Sequence, residues 1–130
     1  MSMIKTVVSP TAPKPAGHYS HAVVHNGVVY LAGQLGVDPA KPGAPAGSIE
    51  AQTEQALKNI KSILEASGSD LDHVLQMTVF VTDMALWAKV NEAFARVMGH
   101  HRPARAVVPV KDFRDGYQVE IQSIAAVRAG

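Results

Sequence analysis

The sequence predicts an α+β protein in which six strands form a sheet and two helices lie on one face of it. Three observations support this prediction. Short apolar stretches bounded by glycine, proline and asparagine occur at both ends of the chain and are typical of strands. Two longer stretches repeat apolar residues every three or four positions, which is typical of amphipathic helices. The dipeptide Asn26-Gly27, which separates two apolar runs, predicts a tight hairpin.

Composition limits the classes of protein to which the chain can belong. Its 130 residues favour a single domain, residues 1–130, that is long enough to bury a core. The formal net charge is +1 and no cluster of lysine and arginine occurs, which argues against nucleic acid as a partner. The absence of cysteine excludes disulfides, thiolate metal ligands and thiol nucleophiles. No apolar segment reaches 18 residues, so we expect a cytoplasmic protein with no membrane partner.

The first half of the chain is predicted to contain three strands and one helix. A short strand is expected at residues 4–8, followed by an arm over residues 9–19 that contains three prolines. The two strands of the hairpin come next. A helix should begin after Ser48, whose hydroxyl can cap it, and end at Gly68. Its buried stripe is predicted to consist of Ile49, Thr53, Ala56, Leu57, Ile60, Ile63 and Leu64.

The second half is predicted to contain a strand, a helix and two further strands. The stretch 73–82 indicates a strand with apolar side chains on both faces. Asp83 can cap a second helix, which Gly99 should end. Residues 104–110 are expected to form a buried strand, and residues 118–127 form the last one. The stripe of the second helix is predicted to consist of Trp87, Val90, Phe94, Val97 and Met98.

The predicted sheet has one face that the chain does not cover. Two helices of this length cover a single face, yet Met77, Val79 and Val81 are expected on one side of their strand and Phe80 on the other. An exposed apolar sheet face is unfavourable in water. We therefore expect a homo-oligomer in which these faces meet, and either a dimer or a trimer satisfies the requirement.

The histidines resemble a metal site only at first sight. His18, His21 and His25 would share one side of a helix, but they lie in a segment that leads into the hairpin. Four residues of a strand span about 13 Å, which is too far for ligands that bind one ion at about 2 Å. We therefore expect no metal site there. His100 and His101 are expected on a solvated loop near Arg105.

Arg105 and Glu120 are the strongest candidates for chemistry. Each is a charged residue within an apolar strand, and burying an unpaired charge costs several kcal/mol. One interpretation is that the two side chains pair with each other. The other is that they flank a cleft, where Arg105 binds the carboxylate of a ligand and Glu120 holds a water molecule.

Three further residues each allow two interpretations. Gly33, at the exit of the hairpin, marks a β-bulge or lets a ligand approach the backbone closely. Tyr19 is a core residue or directs its hydroxyl into the cleft. Asn91 is an exposed helix residue or a polar group at a seam between subunits.

Taken together, these stretches resemble the Rid family, the enamine/imine deaminases also described as YjgF-like. The resemblance extends over the whole chain. The motifs that support it are "YSHAVVHNGVVYLAGQ", "AQTEQALKNIKSILEASGSDLDHVLQMTVFVTDM", "VNEAF", "RPAR" and "VEIQSIA".

The resemblance implies a fold, an assembly and a reaction. The fold would be chorismate-mutase-like, a mixed six-stranded sheet with two helices on one face, assembled as a homotrimer around a central β-barrel. Clefts between subunits would hydrolyse 2-aminoacrylate and related 2-imino acids to 2-keto acids and ammonia, without a cofactor or metal. Arg105 would bind the substrate carboxylate and Glu120 would activate water, in a pocket lined by Tyr19, Gly33 and Asn91, with Val107 two positions after the arginine.

The sequence departs from the deaminases of that family at several positions. Ala32, Ala106 and Val107 replace small polar residues, His18 replaces proline, and Gln122 replaces a glutamate. These changes leave Arg105 and Glu120 in place but favour a more apolar ligand. They also motivate a second hypothesis, in which the same trimer binds small carboxylates or 2-keto acids without converting them.

Overall fold

In a computed structural model, which describes residues 3–129, the chain forms one mixed six-stranded sheet with two helices packed on one face. The strand order is β1-β2-β3-β6-β4-β5, and every neighbouring pair is antiparallel except β4 and β5. The α+β fold that the sequence predicts is therefore confirmed. The elements are β1 (Lys5–Val7), β2 (Ala22–His25), β3 (Val28–Leu35), α1 (Ile49–Ala66), β4 (Val74–Val81), α2 (Trp87–Met98), β5 (Ala104–Pro109) and β6 (Val119–Ala126).

The predicted turns and caps lie where the local sequence places them. Asn26 and Gly27 have φ angles of 51° and 77°, as a type I′ hairpin turn between β2 and β3 requires. The Ser48 hydroxyl accepts a hydrogen bond from the Ala51 N–H at 3.1 Å and caps α1. The helix ends at Ala66, and Gly68 follows with a φ of 81°. Each of these signals acts within a few residues, which explains why the sequence alone reveals it.

The second helix begins through a short helical turn. The Asp83 carboxylate accepts a hydrogen bond from the Ala85 N–H at 2.9 Å and caps a 3₁₀ turn, Met84–Leu86, which continues into α2. Gly99, with a φ of 62°, ends the helix. The predicted capping role of Asp83 is therefore confirmed, although the first turn that it caps is 3₁₀ rather than α.

The two faces of the sheet differ in burial. On the face covered by α1 and α2, Met77, Val79 and Ile121 are fully buried. On the open face, Tyr30 is 48% exposed and Val108 is 37% exposed. Within residues 3–129, one sheet face therefore lacks cover, as the apolar pattern of β4 predicts.

The prediction that residues 104–110 form a buried strand is wrong for the single chain. Among the described strands, β5 is at the edge of the sheet and pairs only with β4, and Ala104, Arg105 and Ala106 are exposed. β-branched residues indicate strand conformation, but they do not reveal whether a second strand lies alongside. The strand also ends at Pro109, one residue early, although the Val110 N–H still donates to a carbonyl of β4.

Two candidate half-sites

The first half-site is built around Arg105, on the helix side of β5. Its guanidinium carbon lies 4.7 Å from the centre of the Trp87 ring and 4.9 Å from that of Phe94. Its Nη1 donates a hydrogen bond of 2.9 Å to the Asn91 amide oxygen. All three partners belong to α2, so one helix holds this side chain by two aromatic contacts and one hydrogen bond.

The remaining donors of Arg105 are available to an anion. A guanidinium has five N–H donors in a planar fork, and among the described residues Asn91 accepts from it while no carboxylate pairs with it. The group borders an open cavity of about 530 Å³. The polar side chains of that cavity are those of Asn91, His101, Arg102 and Arg105. A cavity with two guanidinium groups and no lining carboxylate is suited to a carboxylate ligand.

The second half-site is built around Glu120, on the open face of β6. Its carboxylate is half-buried and has no hydrogen-bond or ion-pair partner among residues 3–129. Burial raises the pKa of Glu120 above its ordinary value, and the nearby positive charge of Arg114 opposes that rise. A cavity of about 110 Å³ adjoins the carboxylate, and its lining includes Lys14, Tyr19, Gly33 and Arg114.

Gly33 lies at a β-bulge, which is the first of its two interpretations, and the group that approaches its backbone closely is a side chain of the protein. The pairing of β3 with β6 shifts between Leu31 and Gln34, which is the bulge that the sequence suggested. A Cβ atom on Gly33 would lie 2.7 Å from the Glu120 Oε1. The missing side chain therefore leaves the space that the carboxylate occupies.

Tyr19 borders the same cavity and is not a core residue. It is 49% exposed, and its hydroxyl accepts a hydrogen bond of 3.1 Å from the Ala16 N–H. Val107 lines neither cavity; its side chain is on the helix side of β5 and packs against the core. His101 borders the cavity of Arg105 and is held by a 2.7 Å hydrogen bond to the Val74 carbonyl.

Arg105 and Glu120 do not meet within one chain. In the pairing of β4 with β5, Arg105 lies opposite the buried Met77. In the pairing of β4 with β6, Glu120 lies opposite Phe80. Side chains three residues apart on a strand point to opposite faces, so the two charged groups lie on opposite sides of the sheet. The interpretation that they pair directly is therefore wrong for the single chain, and a cleft flanked by both requires two copies.

Sequence reasoning missed Arg114. This residue borders the cavity of Glu120 and pairs with Asp115 at 3.0 Å, in the polar turn that precedes β6. The available signal was its position six residues before Glu120, in a turn that returns the chain to the same end of the sheet.

Of the six histidines, only His101 lines either cavity. The ring nitrogens of His21 face the Ser9 N–H and the Pro13 carbonyl. Among residues 3–129, no three histidine or acidic side chains are arranged to bind a metal ion. Nor does this part of the chain contain a helix with the length and hydropathy needed to cross a membrane.

Comparisons with known proteins identify the family. The family model for Endoribonuclease L-PSP matches residues 9–127. A RutC family protein of Pyrococcus horikoshii is 40% identical over 123 residues, which are 95% of this chain and 98% of that protein. The 2-iminobutanoate/2-iminopropanoate deaminase of Mus musculus is 38% identical over 125 residues, which are 95% of this chain and 93% of that protein.

Comparison of the fold with solved structures supports the same family. A crystal structure from Yersinia pestis, described as a protein of unknown function of the conserved Rid protein family, has a TM-score of 0.91 at 33% identity and covers 96% of this chain and 100% of that one. The resemblance stated from the sequence motifs is thereby confirmed. The chain belongs to the endoribonuclease L-PSP family, which includes the Rid proteins.

Proposed function

We propose that this protein is a cytoplasmic, homotrimeric deaminase that hydrolyses small 2-imino acids, such as the imine of 2-aminoacrylate, to 2-keto acids and ammonia. The observation that supports this proposal most directly is the pair of complementary half-sites. Among residues 3–129, one offers a guanidinium with free donors, and the other offers a half-buried carboxylate without a partner. The deaminase name of the murine relative agrees with this chemistry.

The proposed trimer joins the half-sites of neighbouring copies. Arg105 is at the edge of the sheet and Glu120 is on its open face, so the two meet only if the edge of one copy approaches the open face of another. That face exposes large apolar side chains, including Tyr30 and Val108. Exposed apolar patches of this kind are typical of interfaces. In the proposal, three such contacts close a central β-barrel.

In the proposed mechanism, binding and chemistry are divided between the two halves. Arg105 holds the substrate carboxylate in its planar fork, steadied by Trp87, Phe94 and Asn91. The imine carbon is already electrophilic, so no nucleophilic side chain and no cofactor are required. Glu120 orients a water molecule toward that carbon, and orientation of this kind can supply several kcal/mol of the barrier.

The reaction needs two proton transfers to the nitrogen, and Glu120 carries the first of them. As the water oxygen bonds to the imine carbon, a proton passes from water through Glu120 to the nitrogen. As the carbon–nitrogen bond breaks, a second proton passes from the new hydroxyl to the nitrogen, so ammonia leaves and the 2-keto acid remains. A carboxyl whose pKa is raised by burial takes up and returns protons more readily near neutral pH.

The test is the release of 2-keto acid from 2-aminoacrylate generated in the assay by a serine or threonine dehydratase. We expect acceleration by the wild type and none by Arg105→Ala, with light scattering to show that both variants keep the same oligomeric state. Equal acceleration by Arg105→Ala, or no acceleration by the wild type, contradicts the proposal.

A second candidate is a trimer that binds small carboxylates or 2-keto acids without converting them. Ala32, Ala106 and Val107 favour it, because each offers no hydrogen-bond donor beyond the backbone where deaminases of the family have a polar side chain. Calorimetric binding of 2-oxobutanoate together with no imine hydrolysis would support this candidate over the first. Cleavage of RNA is not proposed, since the net charge of +1 and the absence of a basic cluster disfavour an RNA substrate.

A further inference from the structure

His21 is a buried polar residue that neither half-site contains. It is 1% exposed and immediately precedes β2. Its Nδ1 accepts a hydrogen bond of 2.9 Å from the Ser9 N–H, and its Nε2 lies 2.6 Å from the Pro13 carbonyl oxygen. Because a carbonyl only accepts, Nε2 holds the proton and the ring is the neutral tautomer. Both bonds reach the backbone of the arm, residues 9–19.

The arm depends on such anchors for its position. It has no helix or strand, and its three prolines have no N–H to donate. A second anchor lies on α1, where the Ser62 hydroxyl bonds to the hydroxyls of Ser9 and Thr11, each at 2.6 Å. His21 and Ser62 thus attach the start of the arm to the body of the protein.

The far end of the arm forms one wall of the cavity beside Glu120. Pro13, Lys14, Ala16 and Tyr19 all line that cavity. The Pro13 carbonyl is itself the acceptor for His21, so this bond ends on a residue of the wall. Glu120, in contrast, is held by the sheet. Loss of the His21 bonds therefore lets the wall move relative to the carboxylate that it faces.

We propose that His21 is a positioning residue for the Glu120 half-site, which holds the arm at the distance from β6 that a bound substrate requires. The inference depends on the proposed function for its catalytic readout only. A metal ligand at His21 would need a free ring nitrogen, and both are occupied. A role in core packing alone would be met by an apolar residue, but that would leave the buried Ser9 N–H and the Pro13 carbonyl without partners.

The test compares His21→Gln with His21→Met. Glutamine has both an amide donor and a carbonyl acceptor, so it can replace the two bonds, whereas methionine fills similar space without either strong group. Ser69→Ala is the matched control, since it removes a partly buried hydrogen bond to the Ala126 carbonyl at the opposite end of β6. For each variant, kcat and KM for imine hydrolysis, hydrogen exchange over residues 9–19 and the melting temperature are measured.

We expect His21→Met to speed exchange in the arm and lower kcat/KM, each at least tenfold. His21→Gln should stay within threefold of the wild type. Ser69→Ala should lower the melting temperature but leave kcat/KM unchanged. Unchanged exchange or unchanged kcat/KM in His21→Met overturns the proposal, as does a His21→Gln variant as impaired as His21→Met.

Two further measurements separate this inference from the proposed function. If the wild type has no deaminase activity, the exchange data and the calorimetric affinity for 2-oxobutanoate decide the role of His21. In that case we expect His21→Met to bind at least threefold more weakly, and equal binding overturns the inference. If His21→Met does not fold, Ser62→Ala loosens the same arm from its other anchor, and wild-type kcat/KM in that variant overturns the inference.

Discussion

Replacing Gly33 by alanine tests the close contact between β3 and the Glu120 carboxylate. The added Cβ would lie 2.7 Å from the Oε1 of Glu120 and 2.9 Å from its Cδ. Ordinary van der Waals contact begins near 3.4 Å, so the carboxylate must withdraw by about 0.7 Å. The φ of Gly33 is not in the left-handed region, so the backbone itself accepts alanine.

The expected effect is large on activity and small on stability. The atoms that must move are the end of a flexible, half-buried side chain, and an altered rotamer costs about 0.5–1.5 kcal/mol. Misplacing a catalytic group by about 1 Å can lower the rate by about 10²-fold. We therefore expect kcat/KM for imine hydrolysis to fall by about two orders of magnitude while the free energy of unfolding changes by less than about 1.5 kcal/mol.

Gly36→Ala is the matched control, three residues further along the chain. There the added Cβ would meet the backbone carbonyl oxygen of Gln52 and lie 2.7 Å from its Cα, and the backbone of α1 cannot rotate away. Overpacking of this kind costs about 1–3 kcal/mol or more. Urea unfolding and initial rates on both variants give the comparison. Wild-type kcat/KM in Gly33→Ala, or a loss of stability equal to that of Gly36→Ala, refutes the reasoning.

Three other predictions each concern one side chain. Trp87 is the only tryptophan and lies against Arg105, so 2-oxobutanoate should change the protein fluorescence of the wild type but not of Arg105→Ala. Burial raises the pKa of Glu120 above its ordinary value of 4.5, so ionisation of this carboxyl is less favourable in the folded than in the unfolded protein. The free energy of unfolding therefore falls as the pH rises through the raised value. Glu120→Gln should therefore melt at a higher temperature than the wild type at pH 7, and the difference should vanish below about pH 4. The Ser123 hydroxyl is buried without a partner among the described residues, so Ser123→Ala should raise the free energy of unfolding in urea by about 1 kcal/mol. A fluorescence change in Arg105→Ala as well as in the wild type would contradict the first prediction. A difference in melting temperature that persists below about pH 4 would contradict the second. A Ser123→Ala variant less stable than the wild type would contradict the third.

The features that the sequence predicts correctly depend on neighbouring residues. The Asn26-Gly27 turn, the Ser48 cap and the Asp83 cap each act over two or three positions. Alternation along β6 likewise assigns Val119 to one face and Glu120 to the other. These signals need no knowledge of which strands are neighbours.

The errors concern contacts that only the topology determines. Nothing in residues 104–110 shows that β5 is the last strand of the sheet, so its apolar run indicated burial that the chain does not provide. The relative placement of Arg105 and Glu120 depends on the register of both with β4, which no local pattern reveals. Arg114 was missed for the same reason, because its distance from Glu120 depends on how a turn folds back.

The separation of Arg105 and Glu120 leads to a prediction that distinguishes a shared site from a site within one chain. Arg105→Ala and Glu120→Gln should each be inactive alone. If the protein forms the proposed trimer and each site takes its arginine from one copy and its glutamate from the next, a mixed trimer contains one site in which both residues are wild type. With random mixing at equal amounts, about three-quarters of trimers are mixed, so about one-quarter of all sites are restored.

The experiment is to unfold the two variants together, refold the mixture and compare its activity with that of the variants refolded apart. We expect about one-quarter of the wild-type activity in the mixture and none in the separate samples. Mixing without refolding is the control, since it restores activity only as fast as subunits exchange. A site built within one chain would always contain one defective residue, whatever the mixture. An inactive refolded mixture that light scattering shows to be trimeric would therefore exclude the shared site. It would also exclude the proposed mechanism, in which Arg105 of one copy binds the substrate and Glu120 of another activates water.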